Sequence, residues 1–201
     1  MGTMGSGKTT VAQLLAKELD YPLILENFEA NAFLPKFYDD MKRWAFHSQT
    51  FFLLEKARQL EQIPDLLEKH SVIQDTPITQ DVFSYGRAQH EMGNMDSNEW
   101  KLYLKTYETL NGHFKQPDVI IYLDASIDTL VDRISKRGRK YEQSIPRSYI
   151  ELLDKLNMEW IKNTTIPVIH IDTNIRDIIS KELDKEFVVI SLRHALAQYT
   201  R

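Results

Sequence analysis

The sequence contains no cysteine and no long apolar run. Without cysteine, disulfides, thiolate metal sites and a cysteine nucleophile are excluded, and the composition suits a reducing compartment. Since neither a signal peptide nor an apolar run of about 18 residues is present, we expect a soluble cytoplasmic protein with no membrane partner. A strong excess of one charge is also missing, because the net charge is −4 over 201 residues. This weak field gives no reason to expect nucleic acid as a partner.

Apolar residues are plentiful, at 42% of the 201 residues, which is enough to bury the core of one domain spanning 1–201. Short apolar runs predict strands in "YPLILEN", "SVIQD", "PDVIIYLD" and "IPVIHID". Apolar spacing predicts helices over 9–19, 32–69 with a break near 38–42, 98–114, 127–135 and 149–163; "EFVVISLRHALAQYTR" fits a helix or a strand. This alternation predicts an α/β fold with a parallel sheet flanked by helices, and ligands at the carboxyl ends of its strands.

The first ten residues contain a complete phosphate-binding pattern, Gly2-x-x-x-x-Gly7-Lys8-Thr9, which leads into an amphipathic helix. Glycine lets the backbone N–H groups of such a loop converge on a phosphate, and the helix adds its positive end. The pattern predicts an ATP site, with Lys8 on the β- and γ-phosphates and the Thr9 hydroxyl on Mg²⁺. The predicted ATP-binding residues of this P-loop are Gly2, Thr3, Met4, Gly5, Ser6, Gly7, Lys8, Thr9 and Thr10.

A P-loop ordinarily follows a buried strand, and here only Met1 precedes Gly2. We expect that the first strand is missing because the sequence is truncated; the alternative is that another segment supplies it. Loss of a central strand leaves backbone groups of its neighbours unpaired, so low stability is the expected consequence.

Two acidic residues end predicted strands, Glu26 in "LILEN" and Asp75 in "VIQD". At the end of a strand beside a P-loop, a carboxylate holds Mg²⁺ or accepts a proton from an acceptor hydroxyl. A helix N-cap is the alternative role for Asp75. Farther along, "DRISKRGRKYEQ" gathers arginine and lysine around Gly138. This basic segment is either a lid over phosphates or a solvated helix end.

Together with the P-loop, the segments "LENFEAN", "FYDDMKRWAFHSQTFFL", "QDTPITQD" and "KRGRKYEQSIPRSYIELL" follow one another in an order that resembles the deoxyribonucleoside kinase family. The bacterial deoxyadenosine/deoxyguanosine kinase branch is the most similar. The resemblance covers nearly the whole chain and implies a P-loop kinase fold. It implies transfer of the γ-phosphoryl group of ATP, with Mg²⁺, to the 5′-hydroxyl of a deoxyribonucleoside, purines being preferred. It also implies a homodimer, or a heterodimer of related subunits.

The resemblance assigns roles to single residues. Glu26 matches the general base that faces the 5′-hydroxyl of the substrate. Tyr38 and Glu142 match the residues that bind the sugar 3′-hydroxyl, and Gln49 and Asp81 match those that read the base. The lid is expected over 137–146. The other expected groups are the ATP-binding arginines Arg133, Arg137 and Arg139, the catalytic cations Lys8, Arg137 and Arg139, and the metal ligands Thr9 and Asp75.

Three positions depart from the family pattern. Thr76 follows Asp75 where an arginine is usual, so a charged clamp on the transferring phosphate has become a hydroxyl. Lys56 replaces an arginine that partners the base-reading carboxylate, and Asn27 replaces a proline. Two alternatives stay open: a non-catalytic nucleotide-binding partner subunit, which Thr76 favours, and a nucleoside monophosphate kinase similar to thymidylate kinase. The second needs a cation for the substrate's own phosphate, and Thr76 argues against it.

Overall fold

The computed structural model describes residues 1–112 and 114–199. Position 113, within the predicted helix 98–114, and positions 200 and 201 of the C-terminal segment lie outside the described residues. The strands are β1 Leu23–Ile24, β2 Ile73–Gln74, β3 Ile120–Asp124 and β4 Val168–Asp172. The α-helices are α1 Lys8–Leu19, α2 Leu34–Asp39, α3 Met41–Leu60, α4 Ile63–Leu67, α5 Ile78–Gln80, α6 Arg87–Glu91, α7 Ser97–Asn111, α8 Ile127–Arg137, α9 Arg147–Asn163 and α10 Glu182–Tyr199.

The strands form two parallel pairs. β1 pairs with β2, with Leu23 opposite Ile73, and β3 pairs with β4 over their full lengths. The segment before the P-loop continues the second pair, because Leu123 N donates to Met1 O at 2.9 Å and Gly2 forms a parallel bridge with Leu123. In the described part of the chain, no other segment pairs with β3 at this edge.

The Gln80 side chain occupies the position beside Gly2 where a neighbouring strand would bond. Its amide nitrogen donates to Gly2 O at 2.6 Å, and its amide oxygen accepts from Gly2 N at 3.3 Å. One buried side chain therefore supplies the donor and the acceptor that a strand backbone would otherwise supply. Gln80 thus ties the start of the P-loop to the helical segment that follows β2.

The α/β fold with parallel strands is confirmed, and β3, β4, α1, α8 and α9 lie within a few residues of their predicted ranges. The predicted break near 38–42 falls at Asp40, whose side chain caps α3 by accepting from Arg43 N at 3.0 Å. Strands β1 and β2 are only two residues long, so the runs "YPLILEN" and "SVIQD" form less strand than expected. The C-terminal segment, which fitted either a helix or a strand from its sequence, is part of helix α10 as far as Tyr199.

Two apolar clusters hold the layers together. One joins α1, β3, β4 and α10 through Leu15, Leu123, Ile171 and Val188. The other packs α3 and α7 against a π-helical stretch, Asp81–Gly86, which the sequence patterns did not predict. Gly86 permits this packing, since a Cβ there would lie 2.7 Å from the Tyr103 ring. Within the ranges described, no helix is long and apolar enough to cross a bilayer.

Candidate active site

The P-loop turns sharply before α1. Gly5 and Gly7 have φ angles of 87° and 96°, in the left-handed region that glycine adopts without strain. A side chain at Gly5 would also meet Leu130 O at 2.9 Å. The turn brings the Lys8 ammonium back over the loop, where it donates to Gly2 O at 2.9 Å and to Thr3 O at 3.3 Å. Desolvation lowers the pKa of Lys8, and the charges of Asp75 and Glu26 oppose that shift.

Thr9 and Asp75 meet at the end of β2. The Thr9 hydroxyl donates to Asp75 Oδ2 at 2.6 Å. Asp75 does not cap the following helix, because α5 starts after Pro77 without a side-chain cap. A hydroxyl beside a carboxylate is a donor set that fits Mg²⁺, which takes one or two carboxylates and completes its shell with phosphates and water. Across residues 1–112 and 114–199 no cluster of three or more His, Cys, Asp or Glu forms an all-protein metal site.

Glu26 lies two residues beyond the end of β1 with its side chain 28% exposed. The Lys56 ammonium, 2% exposed, approaches within 3.8 Å of the Glu26 carboxylate. Lys56 also donates to Asp75 O at 3.2 Å. The family pattern would have favoured an ion pair between Lys56 and Asp81. Among the described residues, Lys56 instead forms its ion pair with Glu26. One buried cation therefore links the ends of β1 and β2.

Gln49 and Asp81 are buried polar side chains with unsatisfied atoms. Gln49 Oε1 and Asp81 Oδ2 are both buried and have no hydrogen-bond partner. Buried polar atoms are nearly always paired in proteins, so such atoms at a cavity indicate a ligand that completes them. Burial raises the pKa of Asp81 to about 8, and the positive charge of Lys56 opposes the shift. Burial therefore favours the neutral carboxylic acid form of Asp81, and this form can donate as well as accept.

The predicted lid segment, 137–146, is folded back on the site through Glu142, which is buried. Glu142 Oε2 accepts from Arg137 at 2.6 Å, and Oε1 accepts from Arg139 at 3.2 Å. The Tyr141 ring stacks on Tyr38 with 5.6 Å between centroids, and the Tyr38 hydroxyl lies 4.0 Å from Met4 Sδ. These contacts place the predicted sugar-binding pair beside the predicted lid arginines.

Arg133 lines the site and binds the loop after β4. Its guanidinium donates to Thr173 Oγ1 at 2.9 Å and to Thr173 O at 2.7 Å, so it anchors the loop after β4. Lys136 pairs with Asp132 at the surface at 2.6 Å, as expected of a solvated helix end. Within the basic segment, Arg137 and Arg139 therefore bind Glu142, Arg133 binds the loop after β4, and Lys136 pairs within its own helix.

One cavity of about 990 Å³ joins these parts. All of the predicted site residues line this cavity except Gly2 and Thr3, which are buried within the P-loop. The lining residues that were not predicted include the tyrosines Tyr85 and Tyr149 and most of the loop 173–181 after β4. The loop has no motif, but the rule that ligands lie at the carboxyl ends of parallel strands would have indicated it.

Comparison with known proteins matches the deoxynucleoside kinase family model to residues 1–196. The chain is 32% identical to a deoxyguanosine kinase of Bacillus subtilis, an alignment covering 97% of this chain and 95% of the relative. It is also 32% identical to the deoxyadenosine/deoxycytidine kinase of the same organism, over 94% of this chain and 87% of that one. A solved deoxyadenosine kinase from M. mycoides with bound dCTP superposes with a TM-score of 0.82 at 26% identity, covering 96% of this chain and 97% of that structure.

Proposed function

Because the chain belongs to the deoxynucleoside kinase family, we propose that it transfers the γ-phosphoryl group of ATP to the 5′-hydroxyl of a purine deoxyribonucleoside. The observation that carries the proposal is one cavity that holds a P-loop lysine, a carboxylate with a buried cation beside it, and unsatisfied polar groups. Its volume of about 990 Å³ suits two nucleoside-sized ligands.

On the acceptor side, Glu26 takes the proton of the 5′-hydroxyl as the phosphoryl group arrives. Phosphoryl transfer passes through a loose transition state, so positioning of this hydroxyl matters more than strong basicity. Tyr38 and Glu142 hold the sugar 3′-hydroxyl, while Gln49 and Asp81 face the base edge. These contacts fix the 5′-oxygen in line with the γ-phosphate.

On the donor side, the P-loop N–H groups bind the phosphates, and Lys8 exchanges its backbone carbonyl partners for phosphate oxygens. Arg137 and Arg139 stabilise the charge that spreads over the equatorial oxygens. Mg²⁺, held by Thr9 and Asp75, would neutralise phosphate charge when the donor is bound. The kinase lid is residues 137–146 of the single domain 1–201.

The preference for purines rests on the related kinases. A neutral carboxylic acid at Asp81 would donate through its hydroxyl and accept through its carbonyl oxygen. Adenine and cytosine both offer the complementary pattern, with a ring-nitrogen acceptor beside an exocyclic amine donor. The Gln49 amide adds one donor and one acceptor and so reads the same edge. We also propose a cytoplasmic dimer, either a homodimer or a pair with a related subunit, which sedimentation equilibrium would test.

The test is 5′-phosphorylation of deoxyadenosine, deoxyguanosine, deoxycytidine and thymidine by the purified protein with Mg-ATP. Turnover of a purine deoxynucleoside is expected, with loss of turnover in Glu26→Gln and in Lys8→Ala. Glu26→Gln should still bind nucleoside, because the amide keeps the shape of the side chain. Absence of turnover in a parent protein that still binds ATP would reject the proposal in favour of a non-catalytic partner subunit.

A further inference from the structure

Lys56 is a buried cation on α3, between the ends of β1 and β2. Removing an ammonium group from water is costly, and anionic or carbonyl partners must offset the loss. Lys56 has both kinds of partner, the Glu26 carboxylate at 3.8 Å and Asp75 O at 3.2 Å. Its side chain is 2% exposed, so screening by solvent is weak at this position. The charge of Lys56 is therefore felt by Glu26 more strongly than that of a surface lysine.

The residue next to Asp75 does not supply a cation. Thr76 is buried with a φ angle of 61°, and its hydroxyl donates to Asp75 Oδ1 at 3.3 Å. The next arginine along the chain, Arg87, is engaged with Glu91 at 2.8 Å and with Glu159 at 2.7 Å. A positive charge beside Glu26 must therefore come from another element, and α3 supplies it through Lys56.

Building on the proposed function, we infer that Lys56 is a positioning residue for the general base. Its ammonium orients the Glu26 carboxylate toward the acceptor hydroxyl, and so replaces a cation that Thr76 cannot supply. The hydrogen bond to Asp75 O fixes the ammonium relative to the end of β2. Lys56 thereby sets the separation between the base and the predicted metal ligand.

Several other titratable groups face Glu26. Glu26 interacts electrostatically with Lys8 of the P-loop and with Asp81 and Tyr85 of the π-helical stretch. Asp75, at the end of β2, interacts electrostatically with Lys8 and Asp81. Lys8 hydrogen-bonds to backbone carbonyls of the P-loop. Tyr85 and Asp81 carry no positive charge. Lys56 is thus the cation that forms an ion pair with Glu26 among the described residues.

The first experiment compares Lys56→Met, Lys56→Gln and Lys56→Arg with the parent in kcat and in KM for each substrate. Methionine keeps an unbranched side chain without charge, and glutamine keeps a hydrogen-bond donor without charge. We expect both neutral variants to lose at least tenfold in kcat, with the KM for ATP changed less than threefold.

Lys56→Arg keeps the charge and should retain at least a third of the parent kcat. Lys42, an exposed lysine on the same helix, provides the matched control, and Lys42→Met should behave like the parent. The melting temperature of every variant is measured beside its activity. If Lys56 only supports the fold, Lys56→Gln would restore kcat through its bond to Asp75 O, and this result would overturn the inference.

A second experiment moves the cation instead of removing it. Thr76 lines the same cavity, so an arginine at that position can reach into it. Lys56→Met combined with Thr76→Arg should recover at least tenfold in kcat over Lys56→Met. A folded double variant as slow as Lys56→Met would contradict the inference. A parent that phosphorylates no deoxynucleoside would instead reject the proposed function, before any variant is compared.

Discussion

Replacement of Asp81 by asparagine should change how the stability of the protein depends on pH. Burial raises the pKa of Asp81 from 3.8 to about 8 in the folded chain. Asparagine matches the neutral acid in shape and cannot ionise. Between about pH 4 and pH 8 the folded protein keeps a proton on Asp81 that the unfolded chain has released.

The sign follows from the direction of the shift. Since the folded state binds more protons than the unfolded state in this window, the free energy of unfolding falls as the pH rises. The contribution of Asp81 is fully present below pH 4 and is lost as the pH rises through about 8. A difference of one bound proton corresponds to a slope of about 1 kcal/mol per pH unit. Raising the pH by two units within this window therefore lowers the free energy of unfolding by roughly 2 to 3 kcal/mol.

Urea unfolding at intervals between pH 5 and pH 8.5, followed by circular dichroism, measures this slope. The difference between the parent and Asp81→Asn isolates the contribution, because the other groups titrate in both proteins. We expect the parent to lose about 1 kcal/mol per pH unit relative to Asp81→Asn. Asp65→Asn, on an exposed position of α4, serves as the control. Parallel curves for the parent and Asp81→Asn would refute a buried neutral Asp81.

Three further substitutions test other parts of the site. Gln80→Leu leaves the Gly2 N–H without a partner and the Gly2 C=O with Lys8 alone, and it should lower the free energy of unfolding by about 1 to 3 kcal/mol in urea titrations; unchanged stability would contradict this. Thr9→Val removes the hydroxyl next to Asp75 and should raise the Mg²⁺ concentration that gives half-maximal rate at least tenfold. The same Mg²⁺ requirement in the variant and the parent would argue against a metal site there. Glu142→Gln removes the charge that holds the lid arginines and should speed tryptic cleavage within 137–146, and parent-like resistance would count against that anchoring.

The sequence predicted what depends on local patterns. The P-loop is set by Gly5 and Gly7, which must adopt positive φ, and by the helix that begins at Lys8. β3 and β4 are continuous apolar runs, and they form five-residue strands as predicted. The break between α2 and α3 follows from Asp40, which favours a cap over a helix interior.

Features that depend on tertiary contacts were not predictable in the same way. The π-helical stretch Asp81–Gly86 depends on how closely Gly86 approaches Tyr103, and no local period signals that contact. The sequence places Lys56 two helical turns after Gln49 and hence on the same face of α3. Its partners, Glu26 and Asp75 O, are set by where two short strands end. Strands of two residues carry too little pattern to fix those ends.

The lid contacts bear on how one carboxylate can serve both substrates. Glu142 accepts three hydrogen bonds, from Arg137 at 3.0 and 2.6 Å and from Arg139 at 3.2 Å. An ionised carboxylate has about four acceptor sites, so one remains for a sugar hydroxyl while the arginines stay bound. Each guanidinium has five N–H donors, and Glu142 uses three of the ten, which leaves donors for phosphate oxygens. In the proposed reaction, binding of the acceptor sugar therefore need not release the arginines, because the nucleoside can dock on the carboxylate that already holds them.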